Sequence, residues 1–163
     1  MRLGSGRWAG TVGLGLLAFA AGCAGGREES KEGGEGQEAA EAALSAYELE
    51  NGIGPVKESV ILGAIDNTLA AKGKVVFELK CTACHKLDTL YIGPALGEVA
   101  TRRTGAYVMN MVLNPQEMVE RHPVAKQLLA ERMTFIANQG LTVEEARAVL
   151  EYLRTQSKHA PKR

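Results

Sequence analysis

Apolar residues recur every three or four positions along several stretches of this chain, and that helical period organises it. The last stretch carries the strongest signature. Thr142 stands at a cap position with Glu145 three residues on, followed by Val143, Ala146, Val149, Leu150 and Leu153 on one face. A capping box ahead of an apolar stripe predicts a helix to about Thr155. An earlier helix is predicted from about Thr68 to Lys80, with Asp66 or Asn67 as N-cap and Leu69, Gly73, Val76 and Phe77 on one face. Glycine inside a helix costs about 1 kcal/mol relative to alanine, so Gly73 points to a close helix contact, flanked by Phe77. Between these two, Thr104 can cap a helix from Gly105 to Leu113. Asn114, with Pro115 first and Glu117 third, starts another. Pro123 breaks or restarts it, and a further piece carries Val124, Leu128 and Leu129 towards Met133, before Gly140 closes the region. No stretch alternates as a strand would, so the fold class is all-α.

The front of the chain follows other rules. Arg2 and Arg7 precede an apolar run from Thr11 to Ala21 that is too short to span a membrane as a stable helix, so residues 1–22 read as a secretory signal. Phe19-Ala20-Ala21-Gly22-Cys23 resembles a bacterial lipobox, which makes Cys23 the expected lipid anchor. Residues 23–45 are rich in Gly and Glu with no apolar period and are expected to form a flexible acidic tether. Apolar residues return over 46–65, interrupted by Gly52, Gly54 and Pro55, and are expected to make an irregular arm over the domain. The domain itself is assigned to 66–157, and 158–163 form a basic tail.

Composition sharpens this division. The 163 residues allow one small domain plus extensions, and 5% aromatic content leaves room for a bound group in the core. The formal net charge of zero conceals an acidic front, with three Lys/Arg against nine Asp/Glu over 24–65, and a basic back, with fourteen against ten over 66–163. An excess this small fits a local docking patch and no nucleic-acid footprint.

Chemistry concentrates in Cys81-Thr82-Ala83-Cys84-His85, the Cys-x-x-Cys-His pattern of c-type haem attachment. Two thiols three positions apart can each form a thioether to a haem vinyl group, and the adjacent imidazole then reaches the iron. A zinc site would need a second ligand pair, which three cysteines do not supply. A redox dithiol of the thioredoxin type would want a βαβ setting. One covalent haem c is therefore the expected cofactor.

With Gly93-Pro94 downstream and the capped last helix, the region from about Asp66 to Thr155 resembles a class I monohaem cytochrome c. The resemblance implies that the first and last helices cross, Gly73 and Phe77 meeting Val149 and Tyr152. It implies that the Pro94 carbonyl accepts the Nδ1 proton of His85, although Gly93-Pro94 could be merely a turn. His85 would be one axial iron ligand. Met133, beyond a helix and before the last one, occupies the position of the distal methionine, with Thr134 where the family commonly has Pro; Met118 is the runner-up. Met109 and Met111 read as core or haem-pocket residues. His122 and His159 could in principle ligate but are expected to be solvated. The wording around Asn114-Pro115-Gln116-Glu117-Met118, Met133-Thr134 and Leu141-Thr142 resembles membrane-anchored cytochromes that accompany anaerobic reductases, including nitrous oxide reductase.

The function implied is an exported, lipid-anchored electron carrier facing the periplasm or cell exterior, and not an enzyme. Lys72, Lys74, Lys80, Lys86, Arg102 and Arg103 are candidates to steer a redox partner with an acidic docking face. The alternative is a haem enzyme, peroxidase-like or nitrite-reductase-like, with an open iron position. A ligand sensor of the four-helix-bundle cytochrome type is disfavoured, since about 80 residues follow the motif where that class has few.

Overall fold

A computed structural model describes residues 43–157. The signal segment, Cys23, the tether as far as residue 42 and the basic tail with His159 lie outside the described residues. In chain order the helices are α1 (Ala46–Asn51), α2 (Asn67–Lys80), α3 (Val99–Arg102), α4 (Gly105–Leu113), α5 (Pro115–Arg121), α6 (Pro123–Arg132) and α7 (Val143–Gln156). No strand occurs among the described residues, in keeping with the all-α expectation.

The two long helices start as their caps dictate. Asp66 accepts hydrogen bonds from the Thr68 and Leu69 N–H groups, and Thr142 forms a reciprocal capping box with Glu145. Each cap satisfies donors that the first helical turn cannot pair internally. α2 and α7 pack on each other at Gly73, where a Cβ would overlap the carbonyl oxygen of Ala148. The mid-helix glycine thus exists for backbone approach. Phe77 and Tyr152 lie beside that contact with ring centroids 5.3 Å apart and planes tilted by 53°. Phe77, Val149, Leu150 and Leu153 continue from it into a core that takes Val108 and Met109 from α4.

Residues 46–65 depart from the expected irregular arm, because their first six form α1. Ser45 and Glu48 make a capping box there, and the chain leaves the helix through Gly52 at φ 77°. The rest of the arm is irregular yet firmly held. The fully buried Asn110 side chain donates to the carbonyls of Asn51 and Val56 at 3.0 Å and accepts from the Val56 N–H at 3.0 Å. Further along, Arg154 donates to the Gly63 carbonyl at 2.6 Å, and the Asp66 N–H donates to Glu151 at 2.8 Å.

Glu151 is a carboxylate buried on α7 between Arg147 and Arg154. Desolvation disfavours its charge, but hydrogen bonds from Arg147, the Asp66 N–H and Arg154 outweigh that and hold its pKa below the ordinary carboxylate value.

A second cluster joins Ile53 of the arm to Tyr107, Met118, Val119 and Ala125. His122 belongs with it, and here the expectation of a solvated histidine is corrected. Its ring is fully buried, edge-on to Tyr107 with centroids 5.3 Å apart. Nδ1 accepts from the Val124 N–H at 3.2 Å and Nε2 faces the Leu49 carbonyl at 3.1 Å, which assigns the proton to Nε2. His122 is thus the N-cap of α6, whereas Asn114, expected to cap α5 with its side chain, instead donates to the Ile53 carbonyl and to Glu117.

Candidate functional site

α2 stops where the haem motif begins. Cys81 is its C-cap, and the Cys84 and His85 N–H groups donate back to the Cys81 carbonyl at 3.1 and 2.8 Å. This tight turn puts Cys81, Cys84 and His85 on the lining of one cleft. The following loop is pinned against the motif by N–H donation from Gly93 to Cys84, from Leu96 to Lys86 and from Gly97 to Leu87, at 2.8, 3.0 and 2.8 Å.

The loop then sets the imidazole. Nδ1 of His85 lies 2.9 Å from the Pro94 carbonyl oxygen. A carbonyl can only accept, so Nδ1 carries a proton, and in the neutral imidazole the lone pair is then on Nε2. Such a bond fixes ring orientation and strengthens the imidazole as a ligand. Gly93 lies against the same ring, where any Cβ would overlap it. Gly93-Pro94 is therefore more than a turn: glycine makes room for the ring and proline's carbonyl aims it.

The cleft holds about 1040 Å³ of empty space including its solvent mouth. One part of its lining is Cys81, Cys84 and His85 with Ile92, Gly93, Pro94 and Leu96. Another is apolar and comes from Met111 of α4, Val119 of α5, and Ala125, Leu128 and Leu129 of α6; residues 134–137 lie along it as well. Lys80 and Arg132 are its charged members. Cys81 and Cys84 are not joined to each other, and burial, then the neighbouring Cys84, pushes the Cys81 thiol up. Among the described residues no group of three or more His, Cys, Asp or Glu could hold a bare metal ion. Two free thiols, an oriented imidazole with a bare Nε2 and a large apolar cleft beside them fit a covalently attached haem.

The methionines are distributed unequally around this cleft. Met109 is core and Met111 lines the cleft. Met118 is fully buried, with its sulfur accepting the Ile53 N–H at 3.0 Å. Met133 ends α6 in the left-handed region at φ 51°, its side chain 90% exposed, while its neighbours Arg132 and Thr134 line the cleft. Phe135 and Ile136, which also line it, escaped the sequence reading, although Thr-Phe-Ile after Met133 is the apolar signal that could have found them.

The basic candidates are partly engaged. Lys74 pairs with Glu78 at 3.8 Å, Lys86 donates to the Thr82 carbonyl and lies over the Tyr91 ring, Arg102 donates to the Ala95 carbonyl, and Arg103 lies over Tyr107. Lys72 and Lys80 are exposed.

The sequence profile of the cytochrome c family matches residues 70–157, more than half of the chain. The chain belongs to the cytochrome c family. A solved cytochrome c from Rhodothermus marinus is 49% identical, with a TM-score of 0.65 over 70% of this chain and 98% of that one. Cytochrome c-551 of Stutzerimonas stutzeri is 46% identical over 43 residues, and a cytochrome c-553-like protein of Synechocystis is 31% identical over 64 residues. These matches span 41% and 61% of the two curated relatives, less than two thirds of their length. The fold is thus the all-α class I cytochrome c fold, and the cofactor is a covalently attached haem c, for which Cys81 and Cys84 have the required spacing. Among the described residues no helix is long and apolar enough to cross a membrane.

Proposed function

We propose that this cytochrome is a one-electron carrier, exported and held at a membrane by a lipid on Cys23, and that it performs no bond chemistry on a substrate. The observation that carries the reading is the His85–Pro94 hydrogen bond, which leaves Nε2 bare beside an apolar cleft flanked by both thiols. In that arrangement Cys81 and Cys84 would hold the haem, and His85 and Met133 would ligate its iron. The haem supplies a reversible Fe(III)/Fe(II) couple; the thioether raises its potential, and a dry apolar surround tunes it further. The partner is a redox protein presenting an acidic face to Lys72, Lys80 and Lys86, in line with the resemblance to cytochromes that accompany anaerobic reductases.

Exposure of the Met133 side chain favours the alternative, a haem enzyme with an open iron position. Spectroscopy of the holoprotein separates the two. The carrier should be low-spin when ferric, with a weak sulfur-to-iron band at the red end, a reversible couple and slow reaction with carbon monoxide. A high-spin spectrum with immediate carbon monoxide binding would sink the carrier reading. For the anchor, mass spectrometry should find diacylglycerol on Cys23 at the mature N-terminus; an unmodified N-terminus elsewhere excludes it.

A further inference from the structure

Two methionines stand near the cleft on very different supports. Met111 projects from α4, which is capped by Thr104 and tied to the arm through the buried Asn110 immediately before it. Its half-buried side chain packs against the cluster of Ile53, Tyr107, Met118, Val119 and Ala125 and lines the cleft alongside Val119. Met133 sits at a helix end in a left-handed conformation that residues with a Cβ adopt at a cost. Beyond it, the side-chain hydrogen bonds of 134–141 are local, from Thr134 to Arg132, Gln139 to Ala137 and Gly140 to Asn138. A largely exposed segment whose side-chain hydrogen bonds are local opens more easily than a packed helix.

We infer that Met111 is a reserve thioether for the haem iron, able to ligate it when Met133 points to solvent as it does in this structure. This rests on the proposal that the iron lies between His85 and Met133. The step is a ligand exchange: one sulfur lone pair replaces another, and no electron or proton is transferred. Leucine would fill the same space without a donor, so a thioether on this fixed apolar wall adds a soft ligand of the same chemical type as Met133. The competing role is that of a flexible gap filler.

The test uses methyl-labelled methionine in the holoprotein, comparing wild type with Met133→Ala, Met111→Leu and the double variant. In the reduced protein a ligating methionine methyl is displaced strongly by the haem ring. Met133→Ala should lose the wild-type displaced signal and gain a different one, assigned to Met111 by its absence from the double variant. If the reserve ligand is bound about nine-tenths of the time, carbon monoxide affinity of Met133→Ala should be about tenfold weaker than that of the double variant. Because the signal is read in Met133→Ala itself, the result does not depend on how well the double variant folds. Loss of every displaced methyl in Met133→Ala, with carbon monoxide affinity equal to the double variant's, would overturn the inference and leave Met133 as ligand. Loss of the displaced methyl in Met111→Leu alone, with Met133→Ala unchanged, would overturn both this inference and the Met133 assignment.

Discussion

The α2–α7 crossing and the segment 133–141 both adjoin the haem cleft, and they are built to opposite standards. At the crossing, backbone meets backbone at Gly73, aromatic rings pack at Phe77 and Tyr152, and a buried carboxylate ties α7 to the start of α2. Over 133–141 the chain is largely exposed, its side-chain hydrogen bonds are local, and its first residue is in the left-handed region. The first region holds the cysteines and His85 in place, so its tolerance for change is small. The second supplies part of the cleft lining, where a change in position need not unfold the domain.

The largest effect should come from breaking the crossing. Gly73→Ala places a methyl group into the Ala148 carbonyl, which only helix separation can relieve. Overpacking of this kind against backbone costs about 3 kcal/mol or more, and chemical denaturation of the holoprotein should register it.

Next comes Glu151. Its folded pKa lies below the ordinary value of about 4.3, so its stabilisation is complete above that value and drains away as pH falls through the folded pKa. Acid should therefore remove stability that Glu151→Gln never had, and the two proteins should converge at low pH. At neutral pH Glu151→Ala strands Arg147, Arg154 and the Asp66 N–H and should cost about 3 kcal/mol. Equal acid sensitivity of wild type and Glu151→Gln would assign the loss to other carboxylates.

The same contrast explains what could be read before the fold was known. Thr104, Thr142 with Glu145, and Gly73 each announce a local requirement, a cap or a close approach, and the structure meets each of them. Local chemistry is legible because it needs only neighbours in sequence. The burial of His122 is not legible locally because it depends on Tyr107 and on the Leu49 carbonyl, 73 positions away. α1 was missed although Ser45 and Glu48 spell a capping box, since six residues before Gly52 carry too little period to stand out. Cys81, Cys84 and His85 were legible as chemistry; that Met111 lines the cleft while Met109, two residues away on α4, is core was not, because that depends on which helices face each side.

On the exposed side of the comparison, truncation should matter little to stability. Phe135 lines the cleft but is 58% exposed, so Phe135→Ala should change the unfolding free energy by under about 1 kcal/mol. Its effect should appear instead as faster carbon monoxide entry, measured by stopped flow. A stability loss as large as that of Gly73→Ala would mean that the segment is part of the core after all.

The smallest effect is the most discriminating, and it compares two substitutions at one position. Met133→Ala and Met133→Gly both remove the thioether, so they differ only in backbone preference. At φ 51° a residue with a Cβ is strained by roughly 1 kcal/mol relative to glycine. If the holoprotein keeps this left-handed helix end, Met133→Gly should be the more stable of the pair by about that amount in denaturant. If haem binding draws residue 133 into an ordinary right-handed or extended conformation, the advantage disappears, and glycine's extra chain entropy makes Met133→Gly less stable by about 0.5 kcal/mol. The sign of a single difference therefore reports whether the helix end that displays Met133 to solvent persists when the cleft is filled.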